Sequence, residues 1–232
     1  MTACGHSPDR QSQVVVFAAA SLKKTFTEIG GSFTAADPAS AVDFSFAGSA
    51  DLLSQLTQGA DADVFAAADG PTMDRAVRSG LVAGQPVAFA TNTLAIAVAP
   101  GNPKGLKSFR DLLGVSVVVC APQVPCGAPA ARLEKRLEVK LSPVSEESSV
   151  ADVVNKVITG QADAGLVYAT DIRAAGGKLD EVPFPEAATA VNTYQIVTLQ
   201  SARNPAAATR FVDQVTGPAG RAVLTAAGFG TP

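Results

Sequence analysis

The sequence is poor in the residues that carry out most enzyme chemistry. Its 232 residues include a single histidine, His6, no tryptophan and only three cysteines. The body of the chain therefore has no histidine that could act as the base of a nucleophilic triad. Two cysteines without histidine partners do not complete a zinc tetrahedron. We therefore expect no catalytic residues, no cofactor and no bound metal cation.

Charged residues and long apolar runs are also scarce. Charged side chains make up 17% of the chain, and the formal net charge is −3. No basic block is available to bind a phosphate backbone, so we expect no nucleic-acid partner. No apolar run has the length needed to cross a membrane, and neither a dinucleotide fingerprint nor a phosphate loop is present. The composition is typical of a globular protein with one large domain or two small lobes.

A strand that runs directly into a helix opens the folded part of the chain. Residues 14–17, VVVF, lead into three alanines and Ser21, after which apolar residues recur at helical spacing. The same order returns at residues 42–59, where VDFSF is followed by small residues, Ser49 and a helix. Helix N-termini expose unpaired N–H groups and favour negative charge. The repeat therefore indicates an anion site that uses Ser21 and Ser49.

Strands and helices continue to alternate, which predicts an α/β fold with mostly parallel sheets flanked by helices. The long apolar stretch 86–100 is interrupted at residues 91–93, and this polar break is where we expect the chain to cross between two lobes. A second extended stretch, 191–199, would bring it back. We therefore expect a tether at 1–13, a first lobe from 14–90 and 195–232, and a second lobe from 91–194.

Six short motifs carry a family resemblance. In chain order they are VFAAASL, FAGSADLLSQL, ADVFAAAD, VPCG, ADVV and GLVYATD. Together they resemble the molybdate-binding proteins of ABC importers over about residues 14–229. The resemblance implies a type II periplasmic-binding-protein fold that holds a tetrahedral oxyanion, molybdate or tungstate, between its lobes. It also implies a monomer with no enzyme activity, which delivers its ligand to a membrane permease.

The resemblance further implies a set of ligand-binding residues. Ser21 and Ser49 would each give a hydroxyl and a backbone N–H, Cys126 and Val153 a backbone N–H, and Tyr168 its hydroxyl. Cys126 stands where the family usually has alanine, a change that a backbone donor tolerates.

Val153 poses a problem of helix register. If Ser149 caps the helix with Asp152 as its partner, the N–H of Val153 is already bonded within the helix. For Val153 to face the ligand, we expect the helix to begin nearer Ala151 or Asp152.

The N-terminal segment Thr2-Ala3-Cys4-Gly5 resembles the end of a bacterial lipoprotein signal. This resemblance implies lipidation of Cys4 and an extracytoplasmic protein anchored to the outer face of the membrane. A cytosolic protein with a disordered tail is the alternative. Outside the cell, Cys120 and Cys126 are close enough in sequence to form a disulfide, and we predict that they do.

Several functions stay open at this point. Molybdate and tungstate are fully ionised at neutral pH and suit a site made only of neutral donors, whereas hydrogen phosphate carries a proton that needs an acceptor. Sulfate differs from molybdate only in size, so a sulfate-type binding protein is the nearest alternative. An enzyme on the same two-lobed architecture, such as a deaminase of the porphyrin pathway, and a receptor-type sensor domain are alternatives from other classes.

Overall fold

The computed structural model of the chain describes residues 13–38 and 40–232, so the predicted lipidation site Cys4 lies outside the described residues. The strands are β1 Val14–Ala19, β2 Val42–Ala47, β3 Val64–Ala67, β4 Val82–Asn92, β5 Leu94–Val98, β6 Val117–Cys120, β7 Ser145–Glu147, β8 Ala164–Tyr168, β9 Asp180–Val182 and β10 Asn192–Leu199. The α-helices are α1 Lys23–Ala36, α2 Ser49–Thr57, α3 Gly70–Arg78, α4 Gly127–Leu137, α5 Val150–Ile158, α6 Ala169–Ala174, α7 Pro205–Thr216 and α8 Pro218–Ala226. Short 3-10 helices occupy Ala20–Leu22, Phe109–Gly114 and Pro185–Thr189. No helix in this described part is long and apolar enough to span a membrane.

The strands form two five-stranded sheets with matching topology. The first has the order β2-β1-β3-β10-β4 and the second β7-β6-β8-β5-β9. β1 is parallel to β2 and β3, whereas β10 is antiparallel to both of its neighbours. β6 and β5 take the corresponding roles in the second sheet. Four strands of each sheet therefore point the same way and one points back, which confirms the predicted two-lobed α/β fold with mostly parallel sheets.

Helices cover both faces of the first sheet. Alternate residues of β1 point to opposite faces, and both sets are apolar, so each face needs a helix to cover it. Val14 and Val16 belong to the same buried cluster as Phe26 of α1, whereas Phe17 belongs to a second cluster with Leu52 of α2. The first lobe thus combines the first sheet with α1, α2, α3, α7 and α8, and α4, α5 and α6 pack on the second sheet as the second lobe.

The two chain crossings between the sheets lie side by side. β4 ends at Asn92, only Thr93 separates it from β5, and β10 returns to the first sheet beginning at Asn192. Asn92 and Asn192 are directly opposite each other in the register of β4 and β10, and both are buried. The predicted lobe boundaries at residues 90/91 and 194/195 stay a prediction.

Candidate functional site

The carboxyl ends of six parallel strands, three from each sheet, open on one cavity between the lobes. Ligands of open α/β sheets bind outside the carboxyl ends of strands. The space open to the centre of a water molecule is about 20 Å³. The cavity is lined by Ala19, Ala20, Ser21, Ala47, Gly48, Ser49, Ala68, Pro125, Cys126, Ser148, Ser149, Val150 and Tyr168.

Wider depressions elsewhere on the molecule do not share this chemistry. One of about 280 Å³ lies at the amino ends of β1 and β3 and is lined by acidic residues that include Asp63. The Asp63 carboxylate already accepts the backbone N–H groups of Val15 and Arg203. It serves to join chain segments, so we place the candidate site at the carboxyl ends of the strands.

Ser49 is the first residue of α2, directly after the turn that follows β2. At this position its backbone N–H has no acceptor within the helix. Its hydroxyl oxygen accepts the N–H of Ala68 at 3.1 Å, and the side chain is 2% exposed. Because an N–H can only donate, the hydroxyl hydrogen of Ser49 is left to point at another acceptor. The Ser49 hydroxyl is therefore available as a hydrogen-bond donor to a ligand in the cavity.

Ser21 lies in the 3-10 helix between β1 and α1, and its hydroxyl is 2.9 Å from that of Tyr194. Tyr194 is fully buried and also receives Asn92 Nδ2 at 3.5 Å. Burial raises the pKa of Tyr194 far above its usual value, so its hydroxyl keeps its hydrogen.

Tyr168 ends β8 and lines the cavity from the second lobe, as its predicted role requires. Its hydroxyl oxygen accepts Asn192 Nδ2 at 2.7 Å. Burial raises the pKa of Tyr168 well above its usual value, and the neighbouring charge of Asp171 adds to the rise. Tyr168 is therefore a neutral hydroxyl at physiological pH.

A disulfide closes the loop that leads from β6 to the cavity. It joins Cys120, the last residue of β6, to Cys126, the N-cap residue of α4, with the two Cα atoms 5.6 Å apart. Gly127 follows directly, and a Cβ atom there would lie 1.9 Å from the carbonyl oxygen of Ala121. The loop is thus too tight at this point for any side chain. Cys126 lines the cavity, where its backbone can contribute.

The structure shows where α5 begins relative to Val153, whose contact with a ligand stays a prediction. Ser149 is the N-cap residue, its hydroxyl accepts the N–H of Asp152, and the helix begins at Val150. Val153 then stands at the fourth helical position, where the N–H bonds back to the cap carbonyl. Its side chain is fully buried, and Val153 is not among the lining residues. Val150, at the first position, lines the cavity with its N–H unpaired by the helix.

No lining residue among those that the structure describes carries a charged side chain. The N-termini of α2, α4 and α5 converge there instead, and helix dipoles favour an anion. The described chain also contains no cluster of histidine, cysteine and acidic residues that could hold a metal ion. The arrangement can bind an anion through neutral donors, and none of the described lining residues is a histidine or a carboxylate that could serve its serine hydroxyls as a base.

Three buried polar residues behind the cavity were not predicted from the sequence. Tyr194 contacts the Ser21 hydroxyl, Asn192 contacts the Tyr168 hydroxyl and Asn92 contacts Tyr194, and all three lie in the strands of the crossings. The available signal was a polar amide within an otherwise apolar, buried strand, since such a group must find partners.

The family model described as bacterial extracellular solute-binding protein matches residues 14–230 of the chain. The molybdate-binding protein ModA of Mycobacterium tuberculosis is 51% identical, and the match covers 100% of this chain and 93% of that protein. The molybdate-binding protein ModA of Escherichia coli is 27% identical over 97% of this chain and 91% of its own length.

Two solved structures share the fold. The periplasmic molybdate-binding protein of Azotobacter vinelandii superimposes with a TM-score of 0.81 at 22% identity, covering 94% of this chain and 99% of that one. The sulfate-binding protein SubI of Mycobacterium tuberculosis gives 0.76 at 20% identity, covering 94% and 86%. At this identity the two likenesses concern the fold, which accommodates different oxyanions.

Proposed function

The chain belongs to the bacterial extracellular solute-binding protein family, and we propose that it captures molybdate or tungstate outside the cell without changing it chemically. One observation carries the proposal: hydroxyls and helix N-termini from both lobes converge on a cavity without charged side chains. The full-length similarity to proteins named for molybdate binding supports this choice of ligand.

We assign the ligand contacts to five residues. Ser21 and Ser49 give a hydroxyl and a backbone N–H each, Tyr168 gives its hydroxyl, and Cys126 and Val150 give backbone N–H groups. All five line the cavity. Their donors come from both lobes, so a bound anion holds the lobes together through contacts that an open form lacks.

The chemistry of the donors favours a fully ionised oxyanion. Molybdate presents only acceptor oxygens, and each of the assigned groups can donate to them. Hydrogen phosphate carries one hydrogen that needs an acceptor, and no carboxylate lines the cavity. The charge of the dianion is offset by the helix N-termini rather than by a cation.

We further propose that the protein acts as a monomer and passes its ligand to the membrane permease of an ABC importer. Lipidation of Cys4 would hold it at the outer face of the membrane, close to that permease. Metabolic labelling with a radioactive fatty acid, with Cys4→Ala as the control, tests the anchor: label on the parent alone supports it, and label on neither form refutes it.

Calorimetry of the purified protein tests the ligand. We expect molybdate and tungstate to bind tightly, sulfate weakly and hydrogen phosphate weakest. The double variant Ser21→Ala/Ser49→Ala serves as the control, since it lacks both first-lobe hydroxyls. Tighter binding of sulfate than of molybdate would overturn the ligand, and absence of binding for all four anions would overturn the function.

A further inference from the structure

We propose that Asn192 is a positioning residue that fixes the direction of the Tyr168 hydroxyl hydrogen, so that the cavity rejects anions that carry a proton. This inference rests on the proposed function, since it concerns how the same cavity selects its ligand. Asn192 is 4% exposed, is not among the lining residues and belongs to the strand that crosses between the lobes.

Three contacts determine which way the Asn192 amide faces. Its Nδ2 lies 2.7 Å from the carbonyl oxygen of Pro125 and 2.7 Å from the Tyr168 hydroxyl. Its Oδ1 lies 3.4 Å from Nη2 of Arg132. A carbonyl oxygen can only accept and a guanidinium can only donate, so both ends of the amide are assigned by their partners.

The orientation of the amide then decides the role of Tyr168. Its hydroxyl oxygen accepts a hydrogen from Asn192, so its own hydrogen must point towards a different acceptor. Because burial raises the pKa of Tyr168, the hydroxyl keeps that hydrogen. Tyr168 lines the cavity, and its hydroxyl also neighbours that of Tyr194. A bound anion is the stronger acceptor of the two, so it receives the Tyr168 hydrogen, while the Tyr168 oxygen is already engaged by Asn192.

Asn92 provides a weaker version of the same arrangement on the other strand of the crossing. Its Oδ1 accepts the N–H of Thr93 at 3.0 Å, which directs Nδ2 to Thr170 Oγ1 at 2.7 Å and to the Tyr194 hydroxyl at 3.5 Å. Tyr194 in turn contacts Ser21. The 3.5 Å separation is too long to fix a hydroxyl firmly. We therefore expect the main effect at Asn192.

The consequence concerns selectivity. If the Tyr168 hydroxyl could turn, its oxygen would accept the hydrogen of hydrogen phosphate. With Asn192 in place, the Tyr168 oxygen is engaged and does not offer that acceptor, a loss that corresponds to about tenfold or more in affinity. Molybdate has no hydrogen and avoids this loss.

The test is a double-mutant cycle with two anions. Asn192→Ala is measured alone and together with Tyr168→Phe, by calorimetry with molybdate and by competition with hydrogen phosphate. We expect Asn192→Ala to weaken molybdate binding about tenfold and to lower the ratio of molybdate to phosphate affinity by at least as much. In the Tyr168→Phe background the same substitution should change the ratio little.

A merely structural role of Asn192 predicts a different result. It would weaken both anions equally, and by the same factor with or without the Tyr168 hydroxyl, and this outcome would overturn the inference. A parent protein that does not bind molybdate would overturn the proposed function instead. The matched control is Asn204→Ala, which removes the cap of α7, where Asn204 accepts the N–H of Ala207. That variant should lose stability but keep both affinities.

A second variant covers the case in which Asn192→Ala fails to fold. Asn192→Asp has the same shape but replaces Nδ2 with an oxygen, which accepts the Tyr168 hydrogen and draws it away from the cavity. We expect a greater loss of molybdate affinity than for Asn192→Ala, and a smaller loss when Tyr168→Phe is also present. Unchanged affinity in Asn192→Asp, or an equal loss in both backgrounds, contradicts the inference.

Discussion

The first and second lobes hold their halves of the cavity in different ways. In the first lobe, Ser21 and Ser49 each follow a strand directly and stand where a helix begins. In the second lobe, the loop that carries Cys126 is closed by a disulfide and tied to Asn192, which also holds Tyr168. The backbone donors of the first half are thus set mainly by local chain geometry, although Tyr194 and Ala68 contact its two hydroxyls, whereas the loop of the second half is held by contacts between distant segments.

This difference predicts how far a substitution reaches. A change at Ser49 removes a donor from the first half but leaves the backbone of the helix intact. A change in the second half, such as loss of the disulfide or of Asn192, shifts several donors at once because one contact positions a whole loop. The following predictions test this contrast, in decreasing order of their expected effect on molybdate affinity.

The strongest prediction concerns the contact between the halves at Gly48. A Cβ atom there would lie 2.3 Å from the carbonyl oxygen of Ser148, across the cavity. The backbone of Gly48, with φ −58° and ψ 135°, is open to alanine, so Gly48→Ala should fold normally but be unable to close. We expect affinity to fall by on the order of a hundredfold, since the ligand favours the closed state.

Solution scattering provides the second readout for Gly48→Ala. The radius of gyration of the parent should decrease with molybdate, whereas that of the variant should not change. Gly31→Ala is the matched control, because a Cβ atom there meets nothing within 4 Å. It should keep full affinity and gain up to about 1 kcal/mol of stability. Parent-like affinity in Gly48→Ala would show that closure is not needed.

The next prediction isolates the first half. Ser49→Ala removes the hydroxyl that donates to the ligand and leaves the buried N–H of Ala68 without its acceptor. A hydrogen bond to a charged group contributes about 1.5–3 kcal/mol, so affinity should fall about ten- to a hundredfold. Stability should fall by about 1–3 kcal/mol through the unpaired N–H. Calorimetry and denaturant unfolding measure the two effects.

Ser54→Ala on the exposed side of α2 is the control for Ser49→Ala, because its hydroxyl only meets the surface side chain of Gln58. We expect neither affinity nor stability to change appreciably. Tyr168→Phe removes one donor from the second half and leaves Asn192 bonded to Pro125. Its affinity should fall less than that of Ser49→Ala, because the contact between Asn192 and Pro125 that positions the loop stays in place. An equal or greater fall would mean that the Tyr168 hydroxyl itself positions other donors of the second half.

The same contrast explains which parts of the molecule could be predicted from the sequence. Ser21 and Ser49 could be found from the repeated order of strand, small residues, serine and helix, because that order is local. Asn192 and Tyr194 could not, because they come to lie behind the cavity, next to Tyr168 and Ser21, only when the second crossing brings β10 beside β4. β7 and β9, each three residues long, were missed because their partly exposed, charged residues show no apolar pattern.

Val153 shows the limit of a motif without register. The segment ADVV suggested Val153 as a donor, whereas the cap at Ser149 leaves the free N–H groups in the first turn of α5, where Val150 lines the cavity. The capping pair of Ser149 and Asp152 was visible in the sequence and already implied this register. The physical rule for helix ends was therefore the more reliable guide at this position.

The disulfide tests the second half directly. The variant Cys120→Ala/Cys126→Ala should lose about 2 kcal/mol of stability, the value expected for so short a loop. Affinity should fall several-fold, because the loop that carries the Cys126 N–H then keeps only hydrogen bonds, among them that of Asn192 to Pro125. Thermal unfolding measures the stability and calorimetry the affinity. The parent protein in the presence of a reductant should give the same values as the double variant. An unchanged affinity in both cases would mean that the disulfide does not position the donor.

The smallest expected change in affinity comes from Asp171, which lies behind the second half. Burial raises the pKa of this carboxyl to about 7, and its Oδ2 accepts the N–H of Tyr168 at 3.1 Å. Because the folded pKa lies above the value near 4 in the unfolded chain, the folded state binds more protons between these values. The contribution of Asp171 to the free energy of unfolding is therefore fully present below about pH 4 and is lost as the pH rises through 7.

Asp171→Asn should remove this pH dependence while keeping an acceptor for the Tyr168 N–H. The difference in unfolding free energy between the variant and the parent should favour the variant more at pH 8 than at pH 5. Denaturant unfolding at both pH values measures this difference. Its neutral side chain also removes a negative charge that raises the pKa values of Tyr168 and Tyr194 beside the cavity. That charge opposes a dianion, so molybdate affinity of the parent should fall a few-fold from pH 6 to pH 8 and that of the variant should stay constant. A parent and a variant with the same pH profile would show that Asp171 does not titrate in this range, and the second half would then differ from the first only in how its donors are held.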